Sequence, residues 1–265
     1  MWAEATAVAA YGVRVGLRVS HAGTLQSLFT ALPHRNRSTT AGRVDCLYSV
    51  VVGDETGRGA RRLHLLYRDA TRVARTRRWD EVVDALAADV RQSVAALAPR
   101  HVFVHAGVVS IGGRAVLLPG KTFTGKSTLV AALVSAGATY YSDEFAVVDA
   151  LGRIQPFIKP ISLRPDRSFR QIDHAPETFG KVGREAIPMG AVIVTHYREG
   201  ARFRPRALTT AQGVLALMAN TVALGRRPQT RLATLAQTTS HALVWKGARG
   251  EAAAAADTLM AKLAG

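Results

Sequence analysis

Arg114-Ala115-Val116-Leu117-Leu118-Pro119, followed by Gly120-Lys121-Thr122-Phe123-Thr124-Gly125-Lys126-Ser127-Thr128, is the stretch on which the reading of the chain turns. Its first five residues predict a short buried strand. Residues 127–136, apolar at Leu129, Val130, Leu133 and Val134, predict a helix stopped by Gly137. Between them the residues fit G-x-x-x-x-G-K-[ST], the pattern of a phosphate-binding loop. Backbone N–H groups of such a loop surround a polyphosphate, its lysine (here Lys126) reaches the terminal phosphates, and its hydroxyl (Ser127) ligates Mg²⁺. A helix starting directly behind the loop aims its free N–H groups and partial positive charge at the same place. Gly120 to Thr128 are therefore the expected nucleotide-binding residues.

Tyr140-Tyr141-Ser142-Asp143-Glu144-Phe145 carries the second half of the chemistry. Sixteen positions separate Ser127 from Asp143, and a ten-residue helix with a glycine turn uses them up. The spacing predicts Asp143 beside the loop, on the neighbouring strand. There one carboxylate could hold Mg²⁺ and the other could take a proton from an attacking hydroxyl. The plain alternative is a pair of solvated acids at a strand end.

Composition bounds the rest. The 265 residues are 48% hydrophobic and 20% charged, enough apolar material for one large domain or two small ones. No apolar run approaches the roughly 20 residues of a membrane span. Met1-Trp2-Ala3-Glu4 does not read as a secretory signal, and one cysteine, Cys46, excludes an internal disulfide framework; a cytoplasmic protein is expected. The 35 basic against 19 acidic residues give a formal charge of +16. The basic residues crowd Arg68 to Arg78, His34 to Arg37 and Arg202 to Arg206. Such a field attracts acidic partners, although it can equally be a solvated surface. No nucleic-acid recognition motif accompanies it, so nucleic-acid binding is not expected.

Along the chain, residues 1–100 read as an N-terminal α/β region and 101–265 as the domain that holds the loop, packed together as one body. Strands are expected at 13–19, 47–52 and 62–67, the last two around a Gly53 to Gly59 turn, and a helix at 79–98. Further strands are expected at 101–104, 107–111, 139–149, 154–158, 189–196 and 242–245. A capping box at Thr209-x-x-Gln212 opens a helix that Leu224-Gly225 ends, a second short helix covers 230–236, and an Ala-rich helix closes the chain.

His105-Ala106-Gly107-Val108-Val109, the Gly112-Gly113 turn, Gly120 to Thr128, Ser142-Asp143-Glu144 and Pro160-Ile161-Ser162-Leu163-Arg164 together resemble the catalytic domain of HPr kinase/phosphorylase. The resemblance extends to the wider group of HPr-kinase-like proteins, some encoded with ribosomal-peptide pathways. The short loop-to-acid interval is also similar to phosphoenolpyruvate carboxykinase. It covers residues 101–165 tightly and the rest loosely, and the first hundred residues do not match that family's N-terminal domain.

The resemblance implies an α/β fold with a P-loop kinase core and an N-terminal α/β extension packed on it. It implies an ATP-dependent serine or threonine kinase using Mg²⁺, with a peptide or small protein as acceptor, and a possible homo-oligomer; the Arg-rich surface could steer an acidic acceptor. It makes Asp143 the base, Lys126 a catalytic cation, Ser127 and Glu144 metal ligands, His105 a further catalytic candidate, and Lys159 and Arg164 clamps for phosphate or acceptor. Glu144 stands where the family has a second aspartate, Ala106 interrupts its His-Gly pair, and its proline-glycine-arginine phosphorylase signature is missing. A small-metabolite kinase and a nucleotide-binding regulatory module remain open alternatives.

Overall fold

A computed structural model of the chain describes residues 1–33, 36–39, 42–53, 63–120, 124–164 and 171–263. Lys121, Thr122 and Phe123 of the expected loop, His34 and Arg35, residues 54–59 of the expected turn and the first residue, Arg62, of the strand expected after it lie outside the described residues. The chain is a mixed α/β fold that divides into two compact units, Met1–Arg100 and His101–Gly265.

In the first unit, β1 (Glu4–Ala10), β2 (Val13–Val19), β3 (Asn36–Ser38), β4 (Cys46–Val51), β5 (His64–Arg68) and β6 (Thr71–Thr76) form one sheet in the order β3-β1-β2-β4-β5-β6. All neighbours are antiparallel except β2 and β4. β1 was not expected, because its alanine-rich run lacks the β-branched signature. It forms as one arm of a hairpin whose two turn residues, Tyr11 and Gly12, both have positive φ (51° and 82°). The basic cluster after Arg68 likewise folds into β6, an unexpected strand.

Helix α1 (Trp79–Leu97) buries Val82, Leu86, Val90 and Val94 completely, the single face that four-residue spacing gives. A polar group ties it to the sheet. The Tyr48 hydroxyl bonds Asp89 at 2.7 Å and Ser93 at 2.9 Å, and Arg68 pairs with Asp89 at 3.0 Å. Cys46 is buried beside it, and burial, with the charge of Asp69, pushes its thiol up to about 12, so it stays protonated.

The second unit contains β7 (Val102–Ile111), β8 (Arg114–Pro119), α2 (Lys126–Ser135), β9 (Thr139–Ser142), β10 (Phe145–Val148), β11 (Ile154–Gln155), β12 (Ile161–Leu163), β13 (Ile172–His174), β14 (Met189–Tyr197), β15 (Arg206–Ala207), α3 (Thr210–Met218), α4 (Pro228–Thr239), β16 (Leu243–Arg249) and α5 (Ala252–Leu263). Its main sheet runs β11-β10-β7-β8-β14-β16-β15, with β9 also paired to β7, while β12 and β13 form a ribbon of their own. The continuous apolar run of β8 is explained by burial on both faces. Val116 and Leu118 pack with Leu129, Leu133 and Leu259 from α2 and α5, and Ala115 and Leu117 with Val214, Leu217 and Leu235 from α3 and α4.

Four expectations change. The two strands expected at 101–104 and 107–111 are one ten-residue strand, β7. The strand expected over 139–149 is broken into β9 and β10 by a two-residue bend at Asp143 and Glu144. The strand at 154–158 shrinks to Ile154 and Gln155. The capping box at Thr209 and Gln212 is present, but the helix it opens ends at Met218 rather than Leu224. Beyond it the Asn220 carbonyl accepts from His105 N at 2.8 Å and Val222 N donates to Phe103 O at 2.9 Å. The edge of β7 that β8 leaves uncovered draws this segment out of the helix.

Candidate functional site

β8, β14 and β16 are parallel, so their C-terminal ends share one edge of the sheet. At that edge Gly120 leaves β8, its N–H donating to His105 O at 3.2 Å. Gly125 then precedes α2 with φ 73° and ψ 20°, a left-handed conformation that glycine adopts without strain. The free N–H groups of the first turn of α2 therefore face the loop. The Lys126 ammonium donates to Gly120 O at 2.8 Å. Thr124 and Ser127 are half-buried beside it, and Thr128 is exposed.

Gly107 permits this packing of helix on sheet. A Cβ there would stand 2.5 Å from Val130 Cγ2 and 3.2 Å from Lys126 Cγ, so only glycine lets α2 and the lysine stem lie this close to β7.

The acids come from the bend between β9 and β10. Both strands pair with β7, β9 along Val108 to Ser110 and β10 along Val102 to His105. The Ser142 hydroxyl accepts from the N–H groups of Glu144 (3.1 Å) and Phe145 (3.0 Å), and Ala106 N donates to Glu144 O at 3.2 Å. This side-chain turn breaks the ladder and presents two consecutive carboxylates where a continuous strand would present one. The expectation that Asp143 lies one strand from the loop is corrected: β7 stands between β10 and β8, and His105 is the residue at the crossing.

Asp143 is buried. Lys159 Nζ lies 3.1 Å from its Oδ1, and the Tyr140 hydroxyl donates to it at 3.4 Å and to Lys159 O at 3.0 Å. Burial, reinforced by the Asp143 charge, holds the Tyr140 phenol far above its usual range, so it serves as a neutral donor. Burial lowers the Lys126 ammonium from its ordinary value; Asp143 and Glu144 pull it back up and Lys159 opposes them. His105, against the Phe145 ring at 4.8 Å, is lowered by burial and then by the Lys126 charge, which favours the neutral imidazole.

His105, Lys126, Asp143, Glu144 and Lys159 thus form one electrostatic neighbourhood. Arg164, half-buried, lies beyond Lys159, directly after β12. Two members were not foreseen. Tyr140 reads in sequence only as part of a strand. Arg249, buried at the end of β16, donates through Nη2 to Gly125 O at 2.7 Å. Its sequence signal is slight: an arginine before Gly250 where an apolar strand meets an Ala-rich helix.

No protein-family profile and no curated protein matches the chain. Among solved structures it is similar to the HPr(Ser) kinase/phosphatase from Coxiella burnetii. The two are 17% identical with a TM-score of 0.33, over 60% of this chain and 94% of that one. Among the described residues no helix is long and apolar enough to cross a membrane.

Proposed function

We propose that residues 101–265 are a P-loop kinase domain that transfers the γ-phosphate of ATP to a serine or threonine hydroxyl of a peptide or small protein. One observation carries this reading: Lys126, at the start of α2, bonds Gly120 O at 2.8 Å, and the buried Asp143 stands in the bend whose two flanking strands both pair with β7, the strand beside β8. Polyphosphate would be bound by the N–H groups between Gly120 and Ser127 together with Lys126. The acceptor oxygen forms its new bond to the γ-phosphorus as the bond to the β–γ bridging oxygen breaks. The acceptor proton passes to Asp143, and ADP leaves.

Mg²⁺ fits the donors present. Among the described residues no group of three or more His, Cys, Asp or Glu side chains could hold a metal by itself. The Ser127 hydroxyl and the Glu144 carboxylate are hard oxygen donors, and Mg²⁺ characteristically takes one or two protein oxygens and completes its shell with phosphate and water. When bound it would neutralise charge on the β- and γ-phosphates. Lys159, and Arg164 beyond it, are cations suited to an acidic acceptor or the transferred group.

The test is transfer of label from γ-labelled Mg-ATP to serine- and threonine-bearing acidic peptides, including any precursor peptide encoded beside the protein. Asp143→Asn is expected to slow transfer by about 10²- to 10⁴-fold while nucleotide binding persists. Undiminished transfer by that variant removes Asp143 as the base.

One observation favours a second reading, a nucleotide-binding regulatory module: the Asp143 carboxylate is already engaged by Lys159. Tight ATP binding with no transfer to any hydroxyl acceptor would select it.

A further inference from the structure

Arg249 closes β16 and is only 3% exposed. β14 and β16 run on past the end of β8, since Val192 is level with Leu117 and Tyr197 with Arg249; the arginine is therefore level with the loop. Nη2 donates to Gly125 O at 2.7 Å and reaches Thr124 O at 3.4 Å, and Nη1 donates to Gly250 O at 3.1 Å. Nε is buried and makes no hydrogen bond among the described residues. No carboxylate forms an ion pair with the guanidinium among them either. Burial lowers its pKa from the ordinary value, with the Glu251 charge opposing, and the guanidinium stands 5.8 Å from the Tyr197 ring. A buried cation that bonds only carbonyl oxygens is stabilised by an anion bound nearby, even one on the far side of those peptides.

The peptide units give the arrangement its consequence. Both bonds concerned are trans, so each carbonyl points opposite to the N–H that follows it. With the Thr124 and Gly125 carbonyls turned toward one guanidinium, the N–H groups of Gly125 and Lys126 are turned away from it. The Gly125 carbonyl also accepts from Leu129 N at 3.1 Å, which fixes the same plane from the helix side. A Cβ on Gly125 would collide with Nη2.

Resting on the nucleotide reading above, we infer that Arg249 is the positioning residue of the loop. It sets the two peptide planes so that their N–H groups and the Lys126 ammonium converge on a polyphosphate, whose charge balances its own. The ligand chemistry is the polyphosphate chain rather than the base or sugar.

Calorimetric titration of the full chain with Mg-ATP and, separately, with inorganic tripolyphosphate tests this in the wild type, Arg249→Met and Arg249→Lys, with folding checked by thermal unfolding. Arg249→Met is expected to weaken both ligands alike, by about 10- to 100-fold, the worth of hydrogen bonds to a charged group. Arg249→Lys keeps the charge but has no second nitrogen to hold Gly250 O while the first holds Gly125 O, so it recovers part of the loss. In turnover, KM for ATP rises more than kcat falls. A folded Arg249→Met that binds both ligands like the wild type overturns the inference and leaves the nucleotide reading standing. So does a loss confined to ATP. If Arg249→Met does not fold, unchanged affinities in Arg249→Lys overturn it instead. A wild type that binds neither ligand overturns both.

Discussion

The Lys159 ammonium lies 3.1 Å from Asp143 Oδ1, with 16% and 2% of the two side chains exposed. At that depth the carboxylate depends on its counter-charge, because removing one partner of a buried pair leaves the other charged and unsolvated. Lys159→Met is expected to cost about 3 kcal/mol of stability, measured by urea denaturation near neutral pH. Combining it with Asp143→Asn should return part of that loss, since a neutral amide needs no counter-ion. An unchanged midpoint in Lys159→Met would mean the pair contributes nothing to folding.

Gly107→Ala tests the link between packing and the site. The added methyl meets Val130 Cγ2 at 2.5 Å and Lys126 Cγ at 3.2 Å, so α2 must retreat from β7. Overpacking of this kind costs about 1–3 kcal/mol. The same retreat shifts the Lys126 ammonium, so nucleotide affinity should fall together with the thermal midpoint. A variant that loses stability but binds Mg-ATP as before would uncouple the two.

The strand and helix around the loop were legible because both are local: the 114–118 run and the 127–136 periodicity each specify an element without help from elsewhere. β1 and β6 were not, since each exists only as the partner of a neighbouring strand across a tight turn. The break at Asp143 was hidden because apolar residues flank the polar Ser142-Asp143-Glu144 on both sides, so the run reads as one strand; the Ser142 hydroxyl, accepting from two N–H groups, ends the ladder there. α3 stops early because β7 needs partners that lie 115 or more residues further along the chain. Arg249 meets Gly125 across 124 positions, and its place before Gly250 at a strand end is too slight a signal to set it apart from the other arginines. Local propensity carried the motif, and long-range pairing carried everything that surrounds it.

His105 predicts a pH dependence of known sign. Burial and then the Lys126 charge hold its pKa below the ordinary value of 6.5. Above that value both the folded and the unfolded chain carry it neutral, and it contributes no slope. As the pH falls below about 6.5 the unfolded chain takes up the proton first, so stability is lost toward the folded pKa. Replacing it by asparagine should flatten the fall in unfolding free energy between about pH 7 and pH 5. Identical slopes in the two proteins would show that another group is responsible.

Ser142→Ala separates holding the acids from binding the nucleotide. The hydroxyl it removes is the acceptor for Glu144 N and Phe145 N, and residue 142 is almost fully buried. Two main-chain donors then lose their partner where water does not replace it, at about 1–3 kcal/mol. The bend is also freed to straighten into the ladder that β9 and β10 would otherwise continue, which carries the Asp143 carboxylate off its present line. Lys126, Gly125 and Arg249 belong to other elements and keep their geometry. Transfer to a hydroxyl acceptor should therefore fall by at least about 10-fold, while the dissociation constant for ATP without Mg²⁺, which does not call on Glu144, stays within about 2-fold. If affinity and transfer fell in step, the bend would be part of the nucleotide site and the division of labour between loop and acids would have to be redrawn.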